Sequence, residues 1–216
     1  MSASASPIIE TIPVGPLQCN CSILGDPESG EAVVIDPGDE PERILEALAV
    51  LRLKPVALLH THAHFDHIGG TRGVRESTGA AIRLHAADFP LYEALPQQAE
   101  LFGLRAAAPL PPDQPIEDEE AIGFGPWTIT AIHTPVHTPG STCFRLEGDP
   151  GVLFSGDTLF RRSIGRTDLW GGDSESILQS IRQRLFRLPD ELPVVCGHGP
   201  GTTIREEKRL NPFAGE

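Results

Sequence analysis

Four histidines and one aspartate fall within eight consecutive residues of this sequence. Residues 60–67 read His-Thr-His-Ala-His-Phe-Asp-His and follow the apolar run 56–59. Because successive side chains of an extended chain point to opposite faces, we expect His62 and His64 to point to the same side. Imidazole nitrogens and carboxylate oxygens are ligands for zinc, iron and manganese. A metal explains this density, since burying so many uncompensated polar groups would be costly.

Three further donors stand beside turns or glycines elsewhere in the chain. His137 lies between two Thr-Pro pairs, which restrict its backbone. Asp157 follows the apolar run 152–154 and a glycine, and His198 lies between two glycines after the run 194–196. Each signal is weak alone. Together with the histidine-rich stretch they predict one metal centre.

The apolar pattern predicts the elements that would position these residues. Strands are expected at 8–14, 21–25, 32–35, 56–59, 81–84, 127–132, 143–146, 152–154 and 194–196, and helices at 41–53, 66–77, 174–188 and 203–210. Both halves of the chain contain strands and helices. This order favours an α/β fold in which two sheets face each other with helices outside, a four-layered αββα sandwich.

Residues 86–118 differ from the rest because they are rich in Ala, Leu and Pro. We expect a helical insertion that runs into a proline-broken loop. Such a long connection is often a lid or a binding loop, and a solvated cap on the core is an equal alternative.

Composition excludes several classes of protein. The 216 residues suit one domain spanning 1–216, and the net charge is 17 − 30 = −13, which disfavours nucleic acid. No apolar run approaches the length of about 18 residues that a membrane span needs. The first residues do not have the pattern of a signal peptide, so we expect a cytoplasmic protein with four reduced cysteines.

The donors, in their order along the chain, resemble the metallo-β-lactamase superfamily signature H-x-H-x-D-H, then His, Asp and His. The matching residues are His62, His64, Asp66, His67, His137, Asp157 and His198. The resemblance covers nearly the whole chain. It implies that His62, His64 and His137 hold a first metal, that Asp66, His67 and His198 hold a second, and that Asp157 bridges them. Two divalent ions are implied, with zinc favoured and iron or manganese also compatible.

Residues 156–168 resemble glyoxalase II, and the overall plan is closest to its short bacterial type II form. This resemblance implies hydrolysis of a small thioester, S-lactoylglutathione, by a hydroxide that bridges the metals and that Asp66 orients. Arg166 and Phe160 are candidate substrate contacts. Arg166 could pair with a glutathione carboxylate, or equally form a structural salt bridge with Asp168 or Asp173.

Two departures from the family bear on specificity. Glyoxalase II ends with a helical domain that helps hold glutathione, and this sequence does not contain one, which leaves glutathione specificity open. Val136 stands where the family usually has glycine, which predicts a differently shaped loop and a narrower pocket.

Other functions share the fold. Zinc β-lactamases carry cysteine at the position of Asp157, which disfavours antibiotic hydrolysis. Persulfide dioxygenases resemble the same fold and also carry a Gly-Arg-Thr-Asp stretch like residues 165–168. They use one iron held by two histidines and an aspartate, and in this sequence His62, His137 and Asp157 would hold it. A hydrolase of lactones or other acyl substrates is a further alternative. A binding protein without activity is disfavoured by the intact set of donors.

Overall fold

A computed structural model describes residues 6–135, 137–149, 151–168 and 174–215. The expectation for the loop at Val136 therefore lies outside the described residues. Among the helices that are described, none is long and apolar enough to cross a membrane.

The first sheet is formed by six strands in sequence order. They are β1 (Ile8–Val14), β2 (Cys19–Gly25), β3 (Glu31–Ile35), β4 (Lys54–Leu59), β5 (Ala81–His85) and β6 (Gln114–Ile116). The first three strands pair antiparallel, whereas β3 to β6 pair parallel. Helix α1 (Pro41–Leu51) connects β3 to β4, and α2 (Phe65–Ile68) and α3 (Thr71–Thr78) connect β4 to β5.

The segment between β5 and β6 contains two short helices, α4 (Phe89–Glu93) and α5 (Leu95–Leu101). A short stretch of 3₁₀ helix at Ala86–Asp88 precedes them, and residues 102–113 form no regular element. The end of the expected insertion forms β6 instead of a loop. Ile116 of β6 is buried in the core between the sheets, which favours pairing with β5 over an exposed connection.

The second sheet has the order β14-β13-β10-β9-β8-β7. Its strands are β7 (Ala121–Phe124), β8 (Trp127–His133), β9 (Thr142–Leu146), β10 (Val152–Gly156), β13 (Pro193–Cys196) and β14 (Thr202–Thr203). A small hairpin of β11 (Leu159–Phe160) and β12 (Ser163–Ile164) follows β10. The helices on this side are α6 (Ser174–Gln183) and α7 (Ile204–Leu210).

Three apolar layers hold these elements together. Leu59 and Phe144 belong to the layer between the two sheets. Ile44 of α1 packs in a second layer on the outer face of the first sheet, and Ile181 of α6 packs in a third layer on the second sheet. The burial of helices on both outer faces confirms the predicted four-layered αββα sandwich.

The expected helix at 66–77 is two helices that break at Gly69 and Gly70. The turn after β3 packs directly against this break. A Cβ atom on Gly38 would lie 1.7 Å from the carbonyl oxygen of Asp66, and the Gly70 amide donates to the Pro37 carbonyl at 3.0 Å. This close backbone contact interrupts the helix, and a pattern of apolar residues cannot reveal it.

Strand direction explains why the candidate residues converge. In the first sheet β3 and β4 are parallel, so both end at the same edge. In the second sheet β8, β10 and β13 all run in one direction, because β9 is antiparallel to both of its neighbours and β13 is parallel to β10. The segments that follow these strands are the ones that carry the candidate donors.

Phe144 tests the layer between the sheets. Its ring is fully buried, so Phe144→Ala should lower the free energy of unfolding by about 3–5 kcal/mol through lost contacts and a residual cavity. Urea unfolding followed by circular dichroism measures this loss. The control Val50→Ala, at an exposed position of α1, should change stability by no more than about 0.5 kcal/mol. Equal effects of the two substitutions would contradict the layer assignment.

Candidate metal centre

Seven imidazole and carboxylate side chains meet at the shared edge of the two sheets. The loop after β4 carries His62 and His64, and α2 carries Asp66 and His67. The segments after the second-sheet strands β8, β10 and β13 carry the remaining donors, which are His137, Asp157 and His198.

Three groups of these side chains bring ligand atoms within 4.8 Å of one another. The groups are His62 with His64 and His137, His62 with His67 and Asp157, and Asp66 with His67 and His198. The structure therefore brings together all seven donors that the sequence singled out. They form two clusters that share a boundary instead of one compact cage.

Asp157 lies at that boundary. Its Oδ2 atom is 3.6 Å from His137 Nε2, whereas its Oδ1 atom is 3.5 Å from His67 Nε2 and 3.8 Å from His198 Nε2. The two oxygens of one carboxylate thus face different clusters. This is the placement that a carboxylate shared by two cations requires.

Two buried donor atoms without a hydrogen-bond partner in the described part of the chain indicate that the donor set fits divalent cations. His62 Nε2 and Asp157 Oδ1 are buried and have no hydrogen-bond partner among the described residues. A buried polar atom without a partner costs free energy, so each such atom needs an explanation. A cation accepting these lone pairs supplies one.

The hydrogen bonds on the far side of two rings set their tautomers. His137 Nδ1 donates to the Arg166 carbonyl at 2.7 Å, and His198 Nδ1 donates to the Leu17 carbonyl at 2.9 Å. A carbonyl oxygen only accepts, so Nδ1 carries the proton in both rings. In the neutral rings, Nε2 therefore presents its lone pair to the centre, as a metal ligand must.

Burial and charge shift the pKa values of several donors. Burial lowers the pKa of His62 well below its ordinary value, and burial together with the nearby His137 lowers the pKa of His64 to about 3. Burial raises the pKa of Asp66, but His67 and His198 outweigh it and hold that pKa below its usual range. His62 and His64 are thus neutral and the Asp66 carboxylate is ionised at neutral pH. Burial also lowers the pKa of His67, but the neighbouring acidic groups Cys19, Asp157, Asp66 and Asp36 outweigh it and raise that pKa.

Asp36, which directly follows β3, supports the centre. Its buried carboxylate accepts from His67 Nδ1 at 3.0 Å, and from the backbone amide and the hydroxyl of Thr61 at 2.7 Å each. These bonds fix the orientation of the His67 ring. The available signal was an acidic residue directly after the apolar run of β3.

Asp88 is a second support that sequence analysis missed. Its fully buried carboxylate accepts from the Ala63 amide at 3.0 Å, the Thr138 hydroxyl at 2.7 Å and the Gly140 amide at 2.6 Å. It therefore ties the loop of His62 and His64 to the loop of His137. Nothing in the local sequence around Asp88 marks this role.

Gln98 ties α5 to the histidine-rich loop. Its side-chain oxygen accepts from the Phe65 amide at 3.1 Å, and its nitrogen donates to the Ala63 carbonyl at 3.0 Å and the Leu91 carbonyl at 2.7 Å. The segment between β5 and β6 is thus anchored to the centre at two side chains, Asp88 and Gln98.

A cavity of about 590 Å³ opens above the donors. Its polar lining includes His64, Asp66, His137, Asp157 and His198, and its other lining residues are Leu17, Phe65, Leu91, Gln98, Leu101, Phe102 and Arg166. This volume lies within the range of about 300–1,000 Å³ that is usual for small-molecule sites.

The two candidate substrate contacts lie in different places. Arg166 lines the cavity, and its guanidinium pairs with both carboxylate oxygens of Asp168 at 2.8 Å. Phe160 is not brought to the cavity, because it packs on the core cluster outside the second sheet. The structure thus gives Arg166 the salt-bridge partner that the sequence analysis weighed against substrate binding.

The remaining histidines lie outside the three groups. His60 is buried beside Thr71, and burial lowers its pKa to about 4. His85 and His133 stack on each other with ring centres 3.9 Å apart.

Asp88→Ala tests the link between the two histidine loops. The substitution leaves three buried donors without an acceptor, so the free energy of unfolding should fall by about 3–5 kcal/mol. Glu46→Ala, at an exposed position of α1, is the matched control and should stay within about 0.5 kcal/mol. Chemical unfolding of both variants measures the difference. A loss below about 1 kcal/mol in Asp88→Ala would show that the loops are held by other contacts.

Comparison with known proteins agrees with the geometry. A hydroxyacylglutathione hydrolase named GloC from Haemophilus influenzae is 41% identical over 95% of this chain and 97% of its own. The crystal structure of the BLEG-1 B3 metallo-β-lactamase is 40% identical over 96% of this chain and 99% of its own, with a TM-score of 0.89. The di-iron-bound crystal structure of TTHA1623 is 41% identical over 97% and 100%, with a TM-score of 0.84.

The family profile of the metallo-β-lactamase superfamily matches residues 14–198, which include all seven donors. Together with the αββα sandwich and the two adjoining clusters at its edge, this match shows that the chain is a metallo-hydrolase of the metallo-β-lactamase superfamily.

Proposed function

We propose that this chain hydrolyses small thioesters with two divalent metal ions, as glyoxalase II does with S-lactoylglutathione. The observation that carries the proposal is Asp157, whose two oxygens face two separate clusters of donors. Two adjacent cation positions are the arrangement of many hydrolytic sites. The relative named hydroxyacylglutathione hydrolase supports the thioester as substrate class.

In this proposal each cluster holds one ion. His62, His64 and His137 hold the first, Asp66, His67 and His198 hold the second, and Asp157 is shared. Zinc is the occupant that we favour, and iron or manganese suit the same donors, as the di-iron form of TTHA1623 illustrates for a relative.

The chemistry of hydrolysis follows from the groups at the floor of the cavity. Bound divalent ions lower the pKa of water towards about 7 and polarise a carbonyl group. Attack by water oxygen forms a carbon–oxygen bond, the carbon–sulfur bond breaks, and the products are a carboxylic acid and a thiol. The leaving thiolate needs no strong acid, because thiols have a pKa of about 8.5.

Asp66 is the residue that we assign to orienting the attacking hydroxide. Its carboxylate lines the cavity, is ionised at neutral pH and lies 3.1 Å from His198 Nε2. From this position it orients the hydroxide that attacks the carbonyl carbon. The bonds of His137 and His198 to backbone carbonyls keep both rings fixed around the substrate.

Metal content tests the assignment of donors. The purified protein should contain about two divalent ions per chain, and His198→Ala should contain about one, because only the cluster of Asp66 and His67 loses a member. His85→Ala is the matched control and should keep both ions, since His85 lies outside the clusters. Elemental analysis by mass spectrometry gives the counts. An unchanged metal content in His198→Ala would contradict the assignment.

Asp66→Asn tests the role in orienting the hydroxide. The neutral amide replaces one carboxylate oxygen with an NH₂ group, so kcat per metal-loaded chain should fall by about 10²–10⁴-fold on S-D-lactoylglutathione. Glu46→Gln, an exposed substitution, should leave kcat unchanged. Full activity in an Asp66→Asn protein that retains both ions would remove Asp66 from the mechanism.

The assay itself separates the alternatives. We expect the protein to hydrolyse S-D-lactoylglutathione under anaerobic conditions. Oxygen uptake with glutathione persulfide, and a single iron per chain, would identify a dioxygenase instead. Inactivity of fully metallated protein on all thioesters would overturn the proposal and favour lactones or other acyl substrates.

A further inference from the structure

The cavity above the donors has two unlike sides. Its floor consists of the donor side chains, whereas its outer wall is apolar. We define the apolar wall as Leu17, Phe65, Leu91, Leu101 and Phe102. The rings of Phe65 and Phe102 lie 4.5 Å apart and form its centre.

Much of the apolar wall is exposed to solvent. Leu101 is 85% exposed, Phe102 is 59% exposed and Leu17 is 45% exposed. A single exposed apolar residue is ordinary, but a contiguous group beside a pocket marks a surface that binds an apolar ligand. The other side chains of this kind, such as Val50 and Val56, lie on separate elements of the fold.

The apolar wall is fixed in place relative to the donors. Gln98 precedes Leu101 by three residues on α5, and its side chain bonds to the backbone of Ala63 and Phe65 on either side of His64. A ligand that touches Leu101 and Phe102 therefore lies at a defined distance from the metal centre. Rigid positioning of this kind favours a substrate subsite.

Charge on the cavity lining is poorly suited to an anionic ligand. Among the described residues that line this cavity, Arg166 carries the sole cationic guanidinium, and Asp168 already engages it through two hydrogen bonds of 2.8 Å. Outside the donor floor, the described lining therefore offers an anionic arm of a substrate no free cationic partner, whereas an apolar arm gains contact with the wall.

The space beside the wall suits an extended arm. A second cavity of about 190 Å³ adjoins the first and shares Leu17, Phe65 and Asp66 with it. Its lining also includes Leu104, Arg105 and Ala106. An apolar chain of several carbons that begins at the donors can thus continue along Phe65 towards the second cavity.

We propose that the apolar wall binds the acyl arm of the substrate, so that the preferred thioesters carry unbranched apolar acyl chains of about four to six carbons. This inference rests on the proposed thioester hydrolysis and names the acyl class. Common biological thiol carriers such as glutathione are polar, so the apolar arm is the acyl group. Hydrolysis releases the corresponding fatty acid and the thiol.

Binding of thioethers tests the wall separately from catalysis. S-methyl-, S-butyl- and S-hexylglutathione cannot be hydrolysed, and calorimetry measures their Kd with or without metal. Full burial of a methylene gives about fourfold in affinity, and contact with one wall should give about twofold. We therefore expect Kd to fall by about 30-fold from S-methyl- to S-hexylglutathione.

Two substitutions test whether the dependence of Kd on chain length comes from the apolar wall. Leu101→Ser and Phe102→Ala alter largely exposed side chains and should each reduce the 30-fold ratio of Kd to below about tenfold, because part of the wall is removed. Val50→Ser replaces an equally exposed apolar residue on α1 and should keep the ratio of the unsubstituted protein. Equal Kd values for all three thioethers, or an unchanged ratio in both wall variants, would overturn the proposal.

Turnover of S-acetyl-, S-butanoyl- and S-hexanoylglutathione then tests thioester hydrolysis and the acyl subsite separately. The expected result is a ratio of kcat/KM between hexanoyl and acetyl substrates of about 16-fold, at twofold per methylene, which Leu101→Ser reduces. Hydrolysis of all three at the same kcat/KM would overturn the acyl subsite and leave thioester hydrolysis intact. Chain-length-dependent binding without any hydrolysis would retain the subsite and overturn the proposed function.

Discussion

Two buried carboxylates hold the site together. Asp88 joins the loop of His62 and His64 to the loop of His137, and Asp36 joins the end of β3 to Thr61 and His67. Neither carboxylate has a lysine or arginine partner among the described residues, so backbone amides, hydroxyls and one imidazole satisfy them. Loops on two different sheets thereby acquire a fixed relative position. Without that position, strand direction alone would bring the donors to one edge but not into contact.

The convergence of these donors is electrostatically unfavourable in the metal-free protein. Imidazoles and carboxylates crowd their ligand atoms into a small volume, and His62 Nε2 and Asp157 Oδ1 have no hydrogen-bond partner among the described residues. Such an arrangement is unfavourable in the bare protein and becomes favourable when cations accept the lone pairs. The free energy of folding thus offsets the unfavourable packing of the donors, and ion binding then stabilises the preorganised site. The apolar wall adds a second preorganised surface, and Gln98 links the two.

Much of this could be predicted from sequence because its signals are local. Strand β1 (Ile8–Val14) has the expected bounds, and β8 and β10 differ from expectation only at their ends. The spacing of His62, His64, Asp66 and His67 sufficed to propose a metal centre. In contrast, the break between α2 and α3 depends on contact with a distant turn, through Gly38.

The residues that sequence analysis missed share one property. Asp88 and Gln98 act on backbone atoms that lie 25 to 52 and 7 to 35 positions away. The identity of the distant amide that a side chain contacts cannot be read from a single sequence. Phe160 belongs to the same family-like stretch as Arg166, but its ring packs on the core cluster, and its role in substrate binding stays a prediction.

The order in which the chain is synthesised has a bearing on the centre. His198 bonds to the carbonyl of Leu17 across 181 positions, and Asn20 donates to the carbonyl oxygens of Cys196 and Gly199. A nascent chain can therefore assemble His62, His64 and His137 well before the cluster of Asp66 and His67 receives its last member. Joining the two ends of the chain is a contact of very high sequence separation, which forms late in folding. The second cluster is therefore completed only after β13, and a chain interrupted before β13 carries six of the seven donors.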